Sequence, residues 1–345
     1  MPEFRKDPLT GRWRIVAEGR SARPNEYAPG PALPSNDADC PFCEGREART
    51  PPEVAAVRGN AGRPNGPGWT VRAVPNRFPS VAPASGPPLP AGAAPFQRHA
   101  ATGAHEVIIE SPGHSPDLPY LAPEQLRSVF RFLRERVAAL TALPGISSVV
   151  LFENRGPESG GTLPHPHAQI VATELPSPRV EEEAEGFRRG SAGTAGECRL
   201  EAIVAAESGA RERVVSSAGA FTAFAPFASE FPYETWIVPK RHANTFAEST
   251  DREVDELAVL LPSVLRALDG VRPRASYNWY VHGRASRTDS PAAFHWHVEV
   301  APRLVRPDGY ELGSGVSVNP VPPERAAAEL RKGLTTSGRP AARKP

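Results

Sequence analysis

One order of sequence patterns occurs twice in this chain of 345 residues. In the first copy, the β-rich run HEVIIESPGH (105–114) precedes a helical pattern, LAPEQLRSVFRFLRERVAAL, then the strand pattern SSVVLFENRG and a strand carrying His-Pro-His. In the second copy, ETWIVPKRH (234–242) precedes the helical pattern DREVDELAVLLPSVLRAL, the strand pattern ASYNWYVHG and the strand FHWHVEVAP. This order predicts a tandem duplication of one α/β unit.

The spacings within the two copies also agree. A glutamate lies eight residues before the last histidine of each β-rich run, in the pairs Glu106 and His114, and Glu234 and His242. From that histidine to the second histidine of the His-x-His strand is 53 residues in the first copy and 55 in the second. We therefore expect an α+β fold of duplicated units, whose antiparallel sheets form two half-barrels or one continuous sheet flanked by helices.

The duplication also sets the expected domain organisation. We place the first half at residues 1–175 and the second half at residues 176–333. Residues 334–345, a short polar segment rich in proline, arginine and lysine, are expected to be disordered.

Composition excludes several classes of partner. The formal net charge is +1, from 40 basic and 39 acidic residues, so no global field attracts nucleic acid or an anionic membrane. No apolar run approaches the length of a membrane span, and MPEFRKDPLTGRW has no apolar core typical of a signal peptide. Three cysteines, two of them in CPFC, favour a reducing compartment and a metal site over a disulfide framework. We expect a cytoplasmic protein with neither nucleic-acid nor membrane partners.

The segment TLPHPHAQIVA places two histidines two residues apart on a predicted strand. Such residues face the same side about 7 Å apart, so His165 and His167 can share a pocket but not easily a single metal ion. One is then a ligand while the other stays free. Cys40 and Cys43 of CPFC, with His114, could complete a set with His165. Two thiolates and two imidazoles form the closed tetrahedral set of structural zinc sites.

The second half contains an altered version of this set. In GECRLE, Cys198 and Glu201 have the CxxC spacing with glutamate in place of the second cysteine. His242 and His295 stand where the ligand histidines of the first half stand, so these four residues could hold a second ion, zinc or iron. Two alternatives stay open: ordinary histidines with no ion, and a competing ligand set of Glu183, His282, His295 and His297.

The free histidine of the first pair is the candidate nucleophile. A neutral imidazole attacks phosphorus near pH 7, and a hydrogen bond from its far ring nitrogen to a backbone carbonyl would fix its tautomer. Gln169, in phase with His167 on the strand, could donate to a phosphoryl oxygen as negative charge builds. This combination predicts nucleotidyl or phosphoryl transfer.

These residues resemble the histidine-triad superfamily and, more narrowly, the galactose-1-phosphate uridylyltransferases and the related ADP-sugar phosphorylases. The resemblance covers about residues 4 to 333. It rests on the segments DPLTGRWRIV, RSARP, CPFC, PNRFP, ESPGH, FENRG, HPHAQ, PYETWIVPKRH and GYELGSG.

The resemblance implies a double displacement. His167 would attack the α-phosphate of a nucleotide sugar, sugar 1-phosphate would leave, and a second sugar 1-phosphate would take the nucleotide. The carbonyl of Pro166 would orient the imidazole, and Gln169 would contact the transferred phosphoryl group. The family's structural zinc ligands match Cys40, Cys43, His114 and His165.

The resemblance also implies substrate contacts and a homodimer. The matched positions are Arg20 and Arg23 for the diphosphate, Asn76 for the nucleoside, Asn154 for phosphate or ribose, Thr162 for phosphate, and Tyr310 and Glu311 for the sugar of a neighbouring subunit. Arginine suits phosphate because its planar fork presents paired donors.

Three functions stay open at this point. The expected one is transfer of UMP between hexose 1-phosphates, from UDP-glucose to galactose 1-phosphate. The second is an ADP-sugar phosphorylase with the same histidine intermediate and orthophosphate as acceptor, which the segment GYELGSGVSVNPVPPE and Cys198 favour. The third is a nucleotide-binding protein that no longer turns over.

Overall fold

The structure is a computed structural model that describes most of the chain. The described residues are 1–22, 39–59, 62–84, 95–190, 198–284 and 294–336.

Thirteen strands and six α-helices lie within these residues. The strands are β1 (Glu3–Lys6), β2 (Trp13–Val16), β3 (Ala55–Arg58), β4 (Trp69–Pro75), β5 (Gly103–Ile109), β6 (Ser148–Arg155), β7 (His167–Thr173), β8 (Val214–Ala218), β9 (Phe221–Phe224), β10 (Thr235–Pro239), β11 (Tyr277–His282), β12 (His297–Pro302) and β13 (Val318–Asn319). The helices are α1 (Pro123–Thr141), α2 (Pro178–Gly190), α3 (Arg199–Ala210), α4 (Asp251–Val271), α5 (Gly309–Ser314) and α6 (Pro323–Thr336).

Ten strands form one continuous antiparallel sheet. Their order is β3-β4-β5-β7-β6-β11-β12-β10-β9-β8, so five strands of the first half are followed by five of the second in mirrored order. The halves meet where β6 pairs with β11, with Asn278 opposite Asn154. The expected α+β fold is confirmed, and of the two expected arrangements the structure has the continuous sheet rather than half-barrels.

A smaller sheet joins the two ends of the chain. It has the order β1-β2-β13, and β2 pairs with β13 in parallel, with Val318 opposite Ile15. This parallel pair lies outside the large sheet of the duplicated units, which is antiparallel as expected. A parallel pair cannot be closed by a tight hairpin, and here its strands are separated by almost the whole chain.

One face of the large sheet is covered by α1, α4 and α6. On α1, apolar residues recur at helical spacing and are buried against the sheet: Leu126, Val129, Phe130, Leu133, Val137 and Leu140. Ala168 and Ile170 of β7 point to this face and are fully buried. Each fully buried large apolar side chain contributes about 1.5 to 3 kcal/mol, so this layer stabilises the central strands most.

Helix ends follow their sequence signals, with one difference. The Thr250 hydroxyl accepts a hydrogen bond from Glu253 N–H, while the Glu253 carboxylate accepts one from Thr250 N–H, which forms a capping box at the start of α4.

At the C-terminus, α6 continues to Thr336, so residues 334–336 are helical rather than disordered, because Leu330 and its neighbours pack into the core. Residues 337–345 lie outside the described residues.

The opposite face of the sheet is covered differently in the two halves. Over the second half lie α2 and α3, with Phe187 and Leu200 packed against Trp236 of β10. Over the first half lies the segment that follows Cys40, whose Phe42 packs against Val107 and Ile109 of β5. None of the described helices combines the length and apolar character that crossing a bilayer requires.

Two helical glycines provide a test of how α2 is placed. A Cβ on Gly186 of α2 would lie 2.1 Å from the carbonyl oxygen of Leu9, whereas a Cβ on Gly209 of α3 would meet nothing within 4 Å. We expect Gly186→Ala to destabilise the protein by about 1 to 3 kcal/mol through overpacking. The matched Gly209→Ala should stabilise it by up to about 1 kcal/mol through helix propensity. Urea unfolding of both variants measures the difference, and equal shifts would show that α2 does not contact the backbone at Leu9.

Candidate active site and metal centres

The candidate nucleophile lies at the start of β7. In the pairing of β5 with β7, Ile109 is opposite His167 and Val107 is opposite Gln169. Because side chains alternate along a strand, His167 and Gln169 share the face opposite α1, while Ala168 points into the helical core. The expected common face of the histidine and the glutamine is present.

The ring of His167 is held in one tautomer. Its Nδ1–H donates to the carbonyl oxygen of His165 at 2.7 Å, so Nε2 carries the lone pair. In the described part of the chain, Nε2 has no hydrogen-bond partner and is not sealed from solvent. Burial lowers the pKa of His167, which keeps the imidazole neutral near pH 7. A neutral ring with an open Nε2 is a nucleophile.

The orienting carbonyl differs from the one that the resemblance implied. It belongs to His165 and not to Pro166. The Pro166 carbonyl is turned towards β5, where it accepts a hydrogen bond from Glu110 N–H at 3.2 Å. Successive carbonyls along a strand point in opposite directions, so the one at 166 is used by the sheet and the one at 165 is left for the ring.

The structure brings together the predicted ligands of the first metal site. One ligand atom from each of Cys40, Cys43, His114 and His165 lies within 4.8 Å of the others. Cys40 Sγ lies 3.5 Å from His165 Nδ1, and Cys43 Sγ lies 3.7 Å from His114 Nδ1. These separations suit donors arranged tetrahedrally around zinc at ordinary bond lengths.

The tautomer of His165 supports the same assignment. Its Nε2–H donates to the carbonyl of Ser111 at 2.8 Å, which leaves the Nδ1 lone pair for an ion. Phe42, between the two cysteines, lies with its ring centroid 5.9 Å from that of His165 and 5.2 Å from that of His167. Phe42 therefore contacts both the candidate metal ligand His165 and the candidate nucleophile His167.

The altered set of the second half has the same geometry. Ligand atoms of Cys198, Glu201, His242 and His295 lie within 4.8 Å of one another. Cys198 Sγ is 3.4 Å from His295 Nδ1, and Glu201 Oε1 is 3.3 Å from His242 Nδ1. His295 Nε2–H donates to a backbone carbonyl at 2.9 Å, as His165 does in the first half. Burial raises the pKa of Cys198 to about 11, so a thiolate here depends on a nearby cation.

A third group lies beneath α2. Its members are Glu183 of α2, His282 of β11, and His297 and Glu299 of β12, all buried and with ligand atoms within 4.8 Å of one another. The expected competing set contained His295 in place of Glu299, and that expectation is wrong. Because His295 and His297 are two residues apart, His295 lies with the cysteine-containing group and His297 lies in the third group. In the first half, likewise, only His165 lies with the cysteines. The two sets therefore do not compete.

The third group has charge partners of its own. Arg179 Nη2 lies 3.6 Å from Glu299 Oε2, and His282 Nδ1 lies 2.8 Å from Glu183 Oε1. Burial alone would lower the pKa of His282, but the carboxylates of Glu183 and Glu299 outweigh it and raise that pKa. The raised pKa of His282 and the guanidinium of Arg179 both offset the negative charge of the two carboxylates.

Two asparagines complete the face around the nucleophile. Asn76, after β4, donates from Nδ2 to Gln169 Oε1 at 3.2 Å. Asn154, at the end of β6, accepts at Oδ1 from Asn278 Nδ2 at 2.6 Å, and Asn278 accepts from Arg303 Nε. The nucleoside and phosphate contacts expected of Asn76 and Asn154 stay predictions.

The remaining residues expected to contact substrate lie on loops and short helices rather than on strands of the large sheet, or outside the described residues. Arg20 pairs with Asp308 at 3.0 Å, and Arg23 lies outside the described residues. Thr162 is exposed in the loop before β7, and Tyr310 is half exposed on α5. Glu311 accepts from Asp308 N–H and Val318 N–H in its own chain, so its carboxylate already serves the N-terminus of α5.

Sequence reasoning missed three polar residues near the nucleophile. His105 lies with Nε2 2.9 Å from Gln169 Oε1, and it could have been found from its alternation with Val107 and Ile109. Asn278 and Arg303 act across the junction of the two halves, and no local pattern indicates that β6 and β11 pair.

Comparisons with known proteins give matches over most of the chain. Two family models match, described as the N-terminal and C-terminal domains of galactose-1-phosphate uridyl transferase, over residues 1–176 and 183–311. ADP-glucose phosphorylase of Arabidopsis thaliana is 30% identical over 344 residues, covering 96% of this chain and 93% of that protein. Galactose-1-phosphate uridylyltransferase of Thermotoga maritima is 30% identical over 340 residues, covering 96% and 98%.

Solved structures show the same two kinds of relative. The Arabidopsis ADP-glucose phosphorylase with bound ADP-glucose matches with a TM-score of 0.80 at 28% identity, covering 96% of this chain and 98% of that one. A uridylyltransferase structure matches with a TM-score of 0.74 at 28% identity, covering 98% and 100%.

The two cysteine-containing groups predict separable metal losses. We expect Cys43→Ala to remove about one zinc ion per chain and to lower the melting temperature, because zinc binding and folding are coupled. Cys198→Ala should remove the ion of the second site and leave the ion of the first site bound. Elemental analysis with thermal unfolding of both variants and the double variant measures this. Unchanged metal content in Cys43→Ala would rule out the first site.

Proposed function

The chain belongs to the galactose-1-phosphate uridylyltransferase family of nucleotidyltransferases, and we propose that it moves UMP from UDP-glucose to galactose 1-phosphate through a covalent intermediate on His167. The observation that carries the proposal is the ring of His167, whose Nδ1–H is bound to the His165 carbonyl and whose Nε2 is open. The family models, both of galactose-1-phosphate uridyl transferase, support uridylyl as the group transferred.

The proposed reaction has two displacements. In the first, Nε2 of His167 forms a bond to the α-phosphorus, and the bond from that phosphorus to the bridging oxygen breaks, with its electron pair leaving on glucose 1-phosphate. In the second, a phosphate oxygen of galactose 1-phosphate attacks the same phosphorus, and the electron pair of the nitrogen–phosphorus bond returns to Nε2. No proton has to leave the ring, because Nδ1–H stays bound to the His165 carbonyl throughout.

The surrounding residues stabilise charge in both steps. The His165 carbonyl stabilises the positive ring of the intermediate, which is a charge-assisted hydrogen bond. The amide N–H group of Gln169 donates to the phosphoryl oxygens as their charge grows. Asn154 shares this face of the sheet, since its neighbour Phe152 is opposite Gln169 in the ladder.

We propose zinc in the two cysteine-containing groups, with a structural role. At the first site zinc would tie Cys40 and Cys43 to the strand that carries His165, and so would fix the ring beside it. The second site would tie α3 to β12 in the same way through Cys198 and His295. In the group under α2, Arg179 lies 3.6 Å from the Glu299 carboxylate and His282 lies 2.8 Å from the Glu183 carboxylate.

An ADP-sugar phosphorylase is the second candidate. It is favoured by the similarity to the Arabidopsis ADP-glucose phosphorylase, in sequence over 96% of this chain and in structure with a TM-score of 0.80. This activity would use the same His167 intermediate, carry AMP instead of UMP, and pass it to orthophosphate. The two candidates therefore differ in the base and the acceptor and not in the nucleophile.

A homodimer is part of the same proposal. The short helix α5 exposes Tyr310 and Leu312, whose side chains are 51% and 76% accessible in the single chain. Large apolar residues exposed together on one element favour an interface with a second copy. Tyr310 would then lie near the sugar bound by the neighbouring subunit.

The first test concerns the nucleophile. Incubation with nucleotide sugar labelled at the α-phosphate should give acid-labile label on the native chain, and His167→Ala should abolish that label while the fold persists. The control is His99→Ala, which changes an exposed histidine and should label as the native chain does. A His167→Ala variant that still labels would remove this residue from the nucleophile role.

The second test separates the candidates by donor and acceptor. Label from UDP-glucose that galactose 1-phosphate releases supports uridylyl transfer. Label from ADP-glucose that orthophosphate releases supports the phosphorylase. Absence of label from both donors would support the idle nucleotide-binding protein and contradict both enzyme assignments.

A further inference from the structure

A buried histidine that the reaction does not use lies beside Gln169. His105 is on β5, its exposed fraction is 9%, and its Nε2 lies 2.9 Å from Gln169 Oε1. It belongs to none of the three metal-ligand groups found among the described residues. Its contacts therefore require another explanation.

Backbone hydrogen bonding determines the tautomer of His105. Ser80 N–H donates to Nδ1 at 3.1 Å, so Nδ1 is the acceptor and Nε2 carries the proton. The neutral ring then donates from Nε2–H to Gln169 Oε1. The direction of this hydrogen bond is set by the turn after β4.

The same turn sets the orientation of Asn76. Phe78 N–H donates to Asn76 Oδ1 at 2.8 Å, which places the Nδ2 group towards Gln169. Asn76 Nδ2 donates to Gln169 Oε1 at 3.2 Å. Asn76 Nδ2 also lies 3.1 Å from His105 Nε2, but Nε2 carries the proton and cannot accept from it. Two donors, each fixed by a backbone N–H group, thus point at one amide oxygen.

We propose that His105 is a positioning residue that fixes the Gln169 amide with its oxygen inward and its N–H group towards the transferred phosphoryl group; this inference rests on the proposed function. If the amide turned over, its N–H group would face the donors of His105 and Asn76, and its oxygen would face the anionic phosphoryl group. Gln169 Nε2 has no hydrogen-bond partner among the described residues, so it is available for the substrate.

The test compares three substitutions at position 105. His105→Phe keeps an aromatic ring but removes the donor, and should slow formation of nucleotidyl-His167 between about 10- and 100-fold, with substrate affinity nearly unchanged. His105→Gln can place an amide N–H group near the position of Nε2 and should restore the rate to within a few-fold of native. His105→Asn is too short to do so and should stay slow. If His105→Phe does not fold, the comparison of labelling rates between His105→Gln and His105→Asn still tests whether a donor at this position is required.

A double-mutant cycle distinguishes positioning from a general structural role. In a Gln169→Ala background, His105→Phe should cause no further loss of labelling rate, because its effect acts through Gln169. Losses that add across the two sites, or native rates in both His105→Phe and His105→Asn, would overturn the proposal. A native chain that never labels would instead overturn the proposed function.

Discussion

The arrangement of this protein depends on two neighbouring histidines held in opposite tautomers. His165 donates from Nε2–H to the Ser111 carbonyl and offers Nδ1, whereas His167 donates from Nδ1–H to the His165 carbonyl and offers Nε2. Each backbone acceptor therefore leaves one lone pair available, and the two lone pairs face different surroundings. Because the rings are two residues apart on a strand, one ion cannot easily bind both. The spacing thus gives two histidines different roles: His165 is available as a metal ligand, and His167 is available to react.

The fold around the nucleophile follows from this separation. The group containing Cys40 and His165 draws the segment after Cys40 across the sheet face, so that Phe42 lies against both rings. On the other face, Ala168 and Ile170 anchor the same strand in the core beneath α1. The nucleophile is consequently held by a strand packed on both sides. A reacting group of this kind loses little conformational freedom when substrate binds.

The repeat, the long helices α1 and α4 and the two cysteine-containing ligand groups could be predicted from the sequence, because periodicity determines which side chains share a face. The contacts that these side chains make across strands could not be predicted, and His105 and Asn278 show why. His105 meets Gln169 through the pairing of β5 with β7, and Asn278 meets Asn154 through the junction of the halves. Periodicity also leaves the direction of individual carbonyls undetermined, which is why the orienting carbonyl belongs to His165 and not to Pro166. A sequence pattern thus locates a site on a face but not the hydrogen bonds that orient its members.

The duplication shows why only one half presents a candidate nucleophile. His297 repeats the environment of His167, with Nδ1 3.2 Å from the carbonyl two residues before it. The residue two positions after the histidine differs between the halves, however. After His167 it is Gln169, a neutral amide, whereas after His297 it is Glu299, whose carboxylate faces Arg179 and His282 beneath α2. A carboxylate repels a phosphoryl group, whereas an amide can donate to it. In the second half this position therefore lies in a buried ionic group beneath α2, and His297 is fully buried. The first half has uncharged amides on this face, and Nε2 of His167 is not sealed from solvent. These conditions allow a neutral imidazole to attack phosphorus.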